Sequence, residues 1–140
     1  MTTTATPTGA SEILQCQTSG SFTATLSGAF TTAQSATINF VKTGKDVLLV
    51  FSPVSAATTN ATTITAAAGS IPDDLLPLVA VSEFKIGTNN STAATLKVTI
   101  GTDGSITIGV NAAGSAFTGS GNGGFLGFAI PYKTQYGFMV

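Results

Sequence analysis

The chain has 140 residues, 43% of them hydrophobic and only 8% charged, against about 25% charged in typical soluble domains. Five lysines and six acids give a formal net charge of −1, and arginine, histidine and tryptophan are absent. Without arginine, bidentate reading of phosphate, carboxylate or guanine is out of reach, and scattered lysines make no basic stripe for a nucleic-acid backbone. Without histidine, the usual general base and the commonest metal ligand are both missing.

Cys16 alone can form neither an intrachain disulfide nor a zinc site and reads as a small buried hydrophobe. Asp46, Asp73, Asp74 and Asp103 lack the dense D-x-D spacing of a calcium loop. No catalytic residue, metal site or cofactor is therefore expected. One domain's worth of chain remains, with polarity supplied by 25 threonines and 13 serines, residue types that favour strands over helices in the case of threonine.

Residues 1–12, rich in Thr, Pro and Gly, read as a flexible lead-in, and 13–140 as a single domain. The lead-in has neither the basic nor the apolar segment of a secretory signal. From there the periodicity is two. Phe22, Ala24 and Leu26 alternate with Thr23 and Thr25; Ile38 and Phe40 with Thr37 and Asn39. INFVK-TGKD-VLLVF predicts a hairpin turning at Gly44, and SAATTNATTITAAAG a loop with a short strand.

SIPDDLLPLVAV (70–81) carries two adjacent acids between prolines. Neighbouring residues on an extended chain point apart, so the carboxylates do not share a substrate, and the prolines prevent regular pairing. The segment is expected to cross between sheets with its acids solvated. Next, LKVTI-GTDG-SITIGV is the clearest hairpin, reversing at Asp103-Gly104.

Residues 119–124 match G-x-G-x-x-G by letter, but only 16 residues follow and they read as a strand, so the dinucleotide fingerprint has no helix to serve. The match reads as a flexible loop. The N-x-[ST] triplets starting at Asn60, Asn89 and Asn90 are chance products of a Ser/Thr-rich chain, and the Thr-x-Thr pairs show no solenoid period.

The fold class expected is all-β: seven to ten short strands in a two-sheet antiparallel sandwich or jelly roll. VLLVF (47–51), LVAV (78–81) and FLGFAIPY (125–132) break the alternation by being apolar on both faces. A strand in a small sandwich buries one face only, so the second predicts cover by another copy of the chain, in keeping with the low charge. The longest apolar runs are far too short to span a bilayer, so no membrane insertion is expected.

From 38 to 132 the order of features resembles the head domain at the C-terminus of many bacteriophage and large-DNA-virus fibre proteins, itself similar to the tumour-necrosis-factor and complement-type jelly rolls. The residues that carry the resemblance are the Gly-turn hairpin INFVKTGKDVLLVF and the Pro-x-x-x-x-Pro crossing in TTITAAAGSIPDDLLPLVAV. They continue through the hairpin LKVTIGTDGSITIGV to the Gly-rich loop and aromatic strand FTGSGNGGFLGFAIPY. The resemblance implies a homotrimer packed around a threefold axis, with Phe128, Ile130 and Tyr132 as the candidate inter-subunit core. It further implies a non-enzymatic protein of the virion surface that attaches to a host receptor or glycan. Two alternatives stay open: a capsid decoration trimer bound to other capsid proteins, and a carbohydrate-binding module.

Overall fold

The computed structural model describes residues 17–60, 63–119 and 121–136. The lead-in expected over 1–12, and Cys16, lie outside the described residues. Among the described residues ten strands follow one another: β1 (Gln17–Gly28), β2 (Gln34–Thr43), β3 (Asp46–Phe51), β4 (Val54–Ala57), β5 (Ile64–Ala66), β6 (Val81–Asn89), β7 (Thr92–Ile100), β8 (Ile106–Val110), β9 (Asn122–Phe125) and β10 (Phe128–Lys133). A single 3-10 turn, Asp73–Leu75, separates β5 from β6.

All pairings are antiparallel, and the strands form one curled sheet in the order β10-β3-β2-β1-β5-β8-β7-β6-β9-β4. β1 joins its two halves. Residues up to Leu26 pair with β2 in a narrow half (β10, β3, β2, β1), and Ser27 and Gly28 pair with β5 in a wide half (β5, β8, β7, β6, β9, β4). The all-β class thus holds, with a continuous sheet where two separate ones were expected.

The inward face of each strand follows from period two. Ala24 and Leu26, Ala36 and Ile38, Val47, Leu49 and Phe51, Leu96, Val98 and Ile100, and Ile106 and Ile108 all enter one core. Each large aliphatic or aromatic side chain so buried contributes about 1.5–3 kcal/mol. Both hairpins form where the turn residues predict them. Thr43 pairs with Asp46 around Gly44, whose φ is +59°, and Ile100 pairs with Ile106 around Gly104, φ +83°. In the second turn Asp103 accepts hydrogen bonds from the Ser105 amide at 3.0 Å and hydroxyl at 2.6 Å, which hold its carboxyl below the usual carboxylate range.

The proline-bounded segment differs from expectation. It leaves β5 and bonds to the β7–β8 turn through Gly69 and Ile71. It then runs across one end of the curled sheet to β2 and β10, where Leu78 N–H donates to the Lys133 carbonyl at 2.8 Å. From there it returns to β6 in the half it left. The reason lies in its polar partners. The Lys42 ammonium, on a side chain only 3% exposed, donates to the Asp74 carbonyl at 2.9 Å. The Tyr132 hydroxyl donates to the Leu75 carbonyl at 2.7 Å, and Thr134 Oγ1 to the Leu76 carbonyl at 2.7 Å. The segment is a lid over this end of the core, with Ile71 and Leu75 buried beneath it.

Tyr132→Phe leaves the Leu75 carbonyl without its buried donor and is expected to cost about 1–2 kcal/mol in urea unfolding. Burial pushes the Tyr132 phenol above its ordinary range, so its folded-state pKa exceeds the unfolded value of about 10. The stability tied to that proton is fully present below about pH 10 and is lost as pH rises beyond it. Thermal unfolding between pH 8 and 11.5 should show this fall in the native chain and a shallower one in Tyr132→Phe.

Candidate interaction surfaces

Three surfaces stand out once the strands are placed. The first is the outward face of the narrow half. Leu48 and Val50, each 38% exposed, point away from the core between buried Val47, Leu49 and Phe51. Register sets Val41, Leu48 and Pro131 in one row across β2, β3 and β10, and Asn39, Val50 and Ala129 in the next. Towards the hairpin turn the row Thr43–Asp46–Lys133 closes the patch with an exposed ion pair between Asp46 and Lys133. A concavity of about 490 Å³ lies here, lined by Val41, Leu48, Pro131 and their neighbours.

Phe128, Ile130 and Tyr132 sit on the other side of β10. Ile130 and Tyr132 are buried in the chain's own core, and Phe128 is half-buried, stacked on Phe51 at 4.6 Å and edge-on to Phe125 at 5.1 Å. Side chains alternate, so these three occupy the core side of β10, and the outward residues are Ala129, Pro131 and Lys133. FLGFAIPY is also not one strand: Phe125 ends β9, and Leu126-Gly127 links it to β10. LVAV is a connection, with Leu78 and Val79 strongly exposed before β6 begins.

The second surface is the outward face of β6 and β7. Glu83 pairs with buried Val98 and Lys85 with buried Leu96, so these two charges share the core-side face of β6. They bond each other at 2.8 Å, and the Lys85 ammonium lies 5.9 Å above the Phe128 ring. The complementary residues, Phe84 and Ile86, point outward and are each 59% exposed. Across from them on β7 stand Lys97 and Thr95.

The third is the end of the curled sheet opposite the lid. The Gly-rich stretch expected to be a flexible loop is pinned there between two others. The Thr118 amide donates to Asn89 Oδ1 at 2.7 Å, the Gly119 amide to Asn60 Oδ1, and the Asn122 amide to Ser91 Oγ at 3.1 Å. Buried Thr58 donates to the Thr118 carbonyl at 2.9 Å. A Cβ on Gly121 would sit 2.8 Å from Asn90 Oδ1 and Ser91 Oγ, so a larger residue there would push these side chains aside. No ionisable side chain among the described residues lies in these loops; the lysines and acids gather at the lid end and on β6 and β7.

Asp73 is exposed and Asp74 half-buried beside the lid, and no group of three His, Cys, Asp or Glu side chains comes together among the described residues. No helix among them is long and apolar enough to cross a membrane.

No family model matches the chain, and no curated protein matches it. Among solved structures its fold is similar to that of a reovirus attachment protein, sigma1, solved in complex with alpha-2,3-sialyllactose. The TM-score is 0.55 at 18% sequence identity, covering 84% of this chain. The chain spans 66% of that chain's length. The two share a β-rich fold of the kind seen in a viral attachment protein.

Asn89→Ala removes the bond that Asn89 Oδ1 accepts from the Thr118 amide and the one that its Nδ2 donates to Thr118 Oγ1. A loss of about 1–2 kcal/mol is expected, together with faster hydrogen exchange at the Thr118 amide and unchanged exchange at the β7–β8 hairpin.

Proposed function

We propose that this chain is the head-type module of a viral surface protein, a non-enzymatic homotrimer that displays its loop end and outer faces to the host from the virion surface. The supporting observation is the shared fold with a viral attachment protein over 84% of the chain, joined to an outward apolar face that a lone copy leaves in water. On this reading the curled sheet is a jelly-roll sandwich, and glycan or receptor binding is its work.

The chain enters β1 at Gln17, opposite Thr43 and close to the lid. The pinned, uncharged loops face the other way. The seam between copies follows the row Val41–Leu48–Pro131 and the row beside it, because Leu48, Val50 and Pro131 combine exposure with apolar character on a paired surface. Phe128, Ile130 and Tyr132 support that seam from behind by fixing β10 against β3.

Light scattering at micromolar concentration should give about 42 kDa, three chains of 13.9 kDa each, as closed cyclic symmetry requires. The double substitution Leu48→Glu/Val50→Glu should yield monomers with unchanged far-ultraviolet circular dichroism. A native chain that runs as a monomer removes the trimer from this reading. A trimer indifferent to both substitutions moves the seam to another face.

A further inference from the structure

β6 is mounted against its own chemistry. Its sequence, VSEFKIGTN, offers a face of Phe84 and Ile86 and a face of Glu83 and Lys85. Because side chains alternate, a shift of one residue in pairing would bury the aromatic and aliphatic groups and release the charges to water. The observed register does the reverse, tying the two charges to each other and leaving two large hydrophobic side chains 59% exposed. A local choice that opposes the fold's interest marks a place where another requirement prevails.

The surroundings of Phe84 identify that requirement. Its cross-strand partner is Lys97, half-buried, with its stem beside Gly114 and no ion-pair partner among the described residues. Ser82 and Thr99 form the next pair along, their hydroxyls 2.9 Å apart. The same row continues through Thr107 and Thr65 to Ser27, five hydroxyl-bearing residues on five adjacent strands. An aromatic ring, an aliphatic neighbour, one uncompensated cation and a line of hydroxyls thus share one exposed face.

We infer that this face binds a carboxylate-bearing saccharide. The C–H face of a sugar ring lies on Phe84 and Ile86, its carboxylate pairs with the Lys97 ammonium, and its hydroxyls meet Ser82 and Thr99, which retain hydrogen-bonding capacity beyond their mutual bond. The unpaired cation selects this ligand over a second copy, which would have to bury Lys97 opposite an acid. Glu83 is tied to Lys85 on the core side, Asp46 to Lys133 on the other half-sheet and Asp103 to Ser105 in its turn, which leaves only Asp73 and Asp74, on the lid, among the described acids. The inference rests on the attachment reading and narrows it to one site and one ligand class.

The test is titration of the full chain with sialyllactose and with lactose, read by ligand-observed NMR. Sialyllactose should bind in the millimolar range and lactose roughly tenfold more weakly. Lys97→Gln should weaken sialyllactose to the level of lactose, Lys97→Arg should restore it, and Phe84→Ala should weaken both sugars. These side chains are exposed or half-exposed, so the fold is expected to survive, with circular dichroism as the check.

Wild-type discrimination that persists in both Lys97→Gln and Phe84→Ala overturns the site while leaving glycan attachment standing. If Phe84→Ala changes the molar mass in solution, the face is a seam between copies and the inference fails. A native chain that binds neither sugar also overturns it; if that chain is a monomer as well, the attachment reading falls with it.

Discussion

Side chains on an extended chain point alternately to opposite sides, and in this protein that constraint separates what holds the fold from what is left to meet a partner. Along β10 it sends Phe128, Ile130 and Tyr132 inward and Ala129, Pro131 and Lys133 outward. Along β3 it buries Val47, Leu49 and Phe51 and exposes Leu48 and Val50. Along β6 it works against burial. One register decision per strand therefore fixes both the core and the surface.

Much of the fold was legible in the sequence because it depends on local rules. The hairpins at Gly44 and Gly104 follow from turn residues, and the alternation in LKVTI and SITIGV states which residues enter the core. Less was legible where the outcome depends on distant partners. The family resemblance makes Phe128, Ile130 and Tyr132 candidates for an inter-subunit core, which would account for FLGFAIPY being apolar on both faces. The structure splits that run at Leu126-Gly127, stacks Phe128 on Phe51 and Phe125, ties Tyr132 to the lid and buries Ile130 in the core. Likewise LVAV looked like a strand, yet Pro77 and the bond from Leu78 to Lys133 make it the edge of a lid.

The outward set Phe84, Ile86 and Lys97 carried a signal that sequence reading passed over. VSEFKIGTN alternates cleanly, but alternation alone does not say which set faces inward. The usual rule would have chosen Phe84 and Ile86 for the core. Only pairing with β7, where Glu83 meets Val98 and Lys85 meets Leu96, reveals the opposite choice. The pinned loop has a similar history: Gly119 and Gly121 look like sources of mobility by composition, and they serve instead to let one loop pass closely between two others.

The separation of charge along the long axis has a kinetic consequence. Fields from ionised groups guide or repel an approaching partner over roughly a Debye length, about 8 Å at physiological salt. The loop end, with no ionisable group of its own among the described residues, meets any charged partner with little electrostatic guidance and little repulsion. Its encounters are governed by diffusion and shape, at a rate nearly independent of ionic strength, while the lysines on the flank and at the lid end remain sensitive to salt.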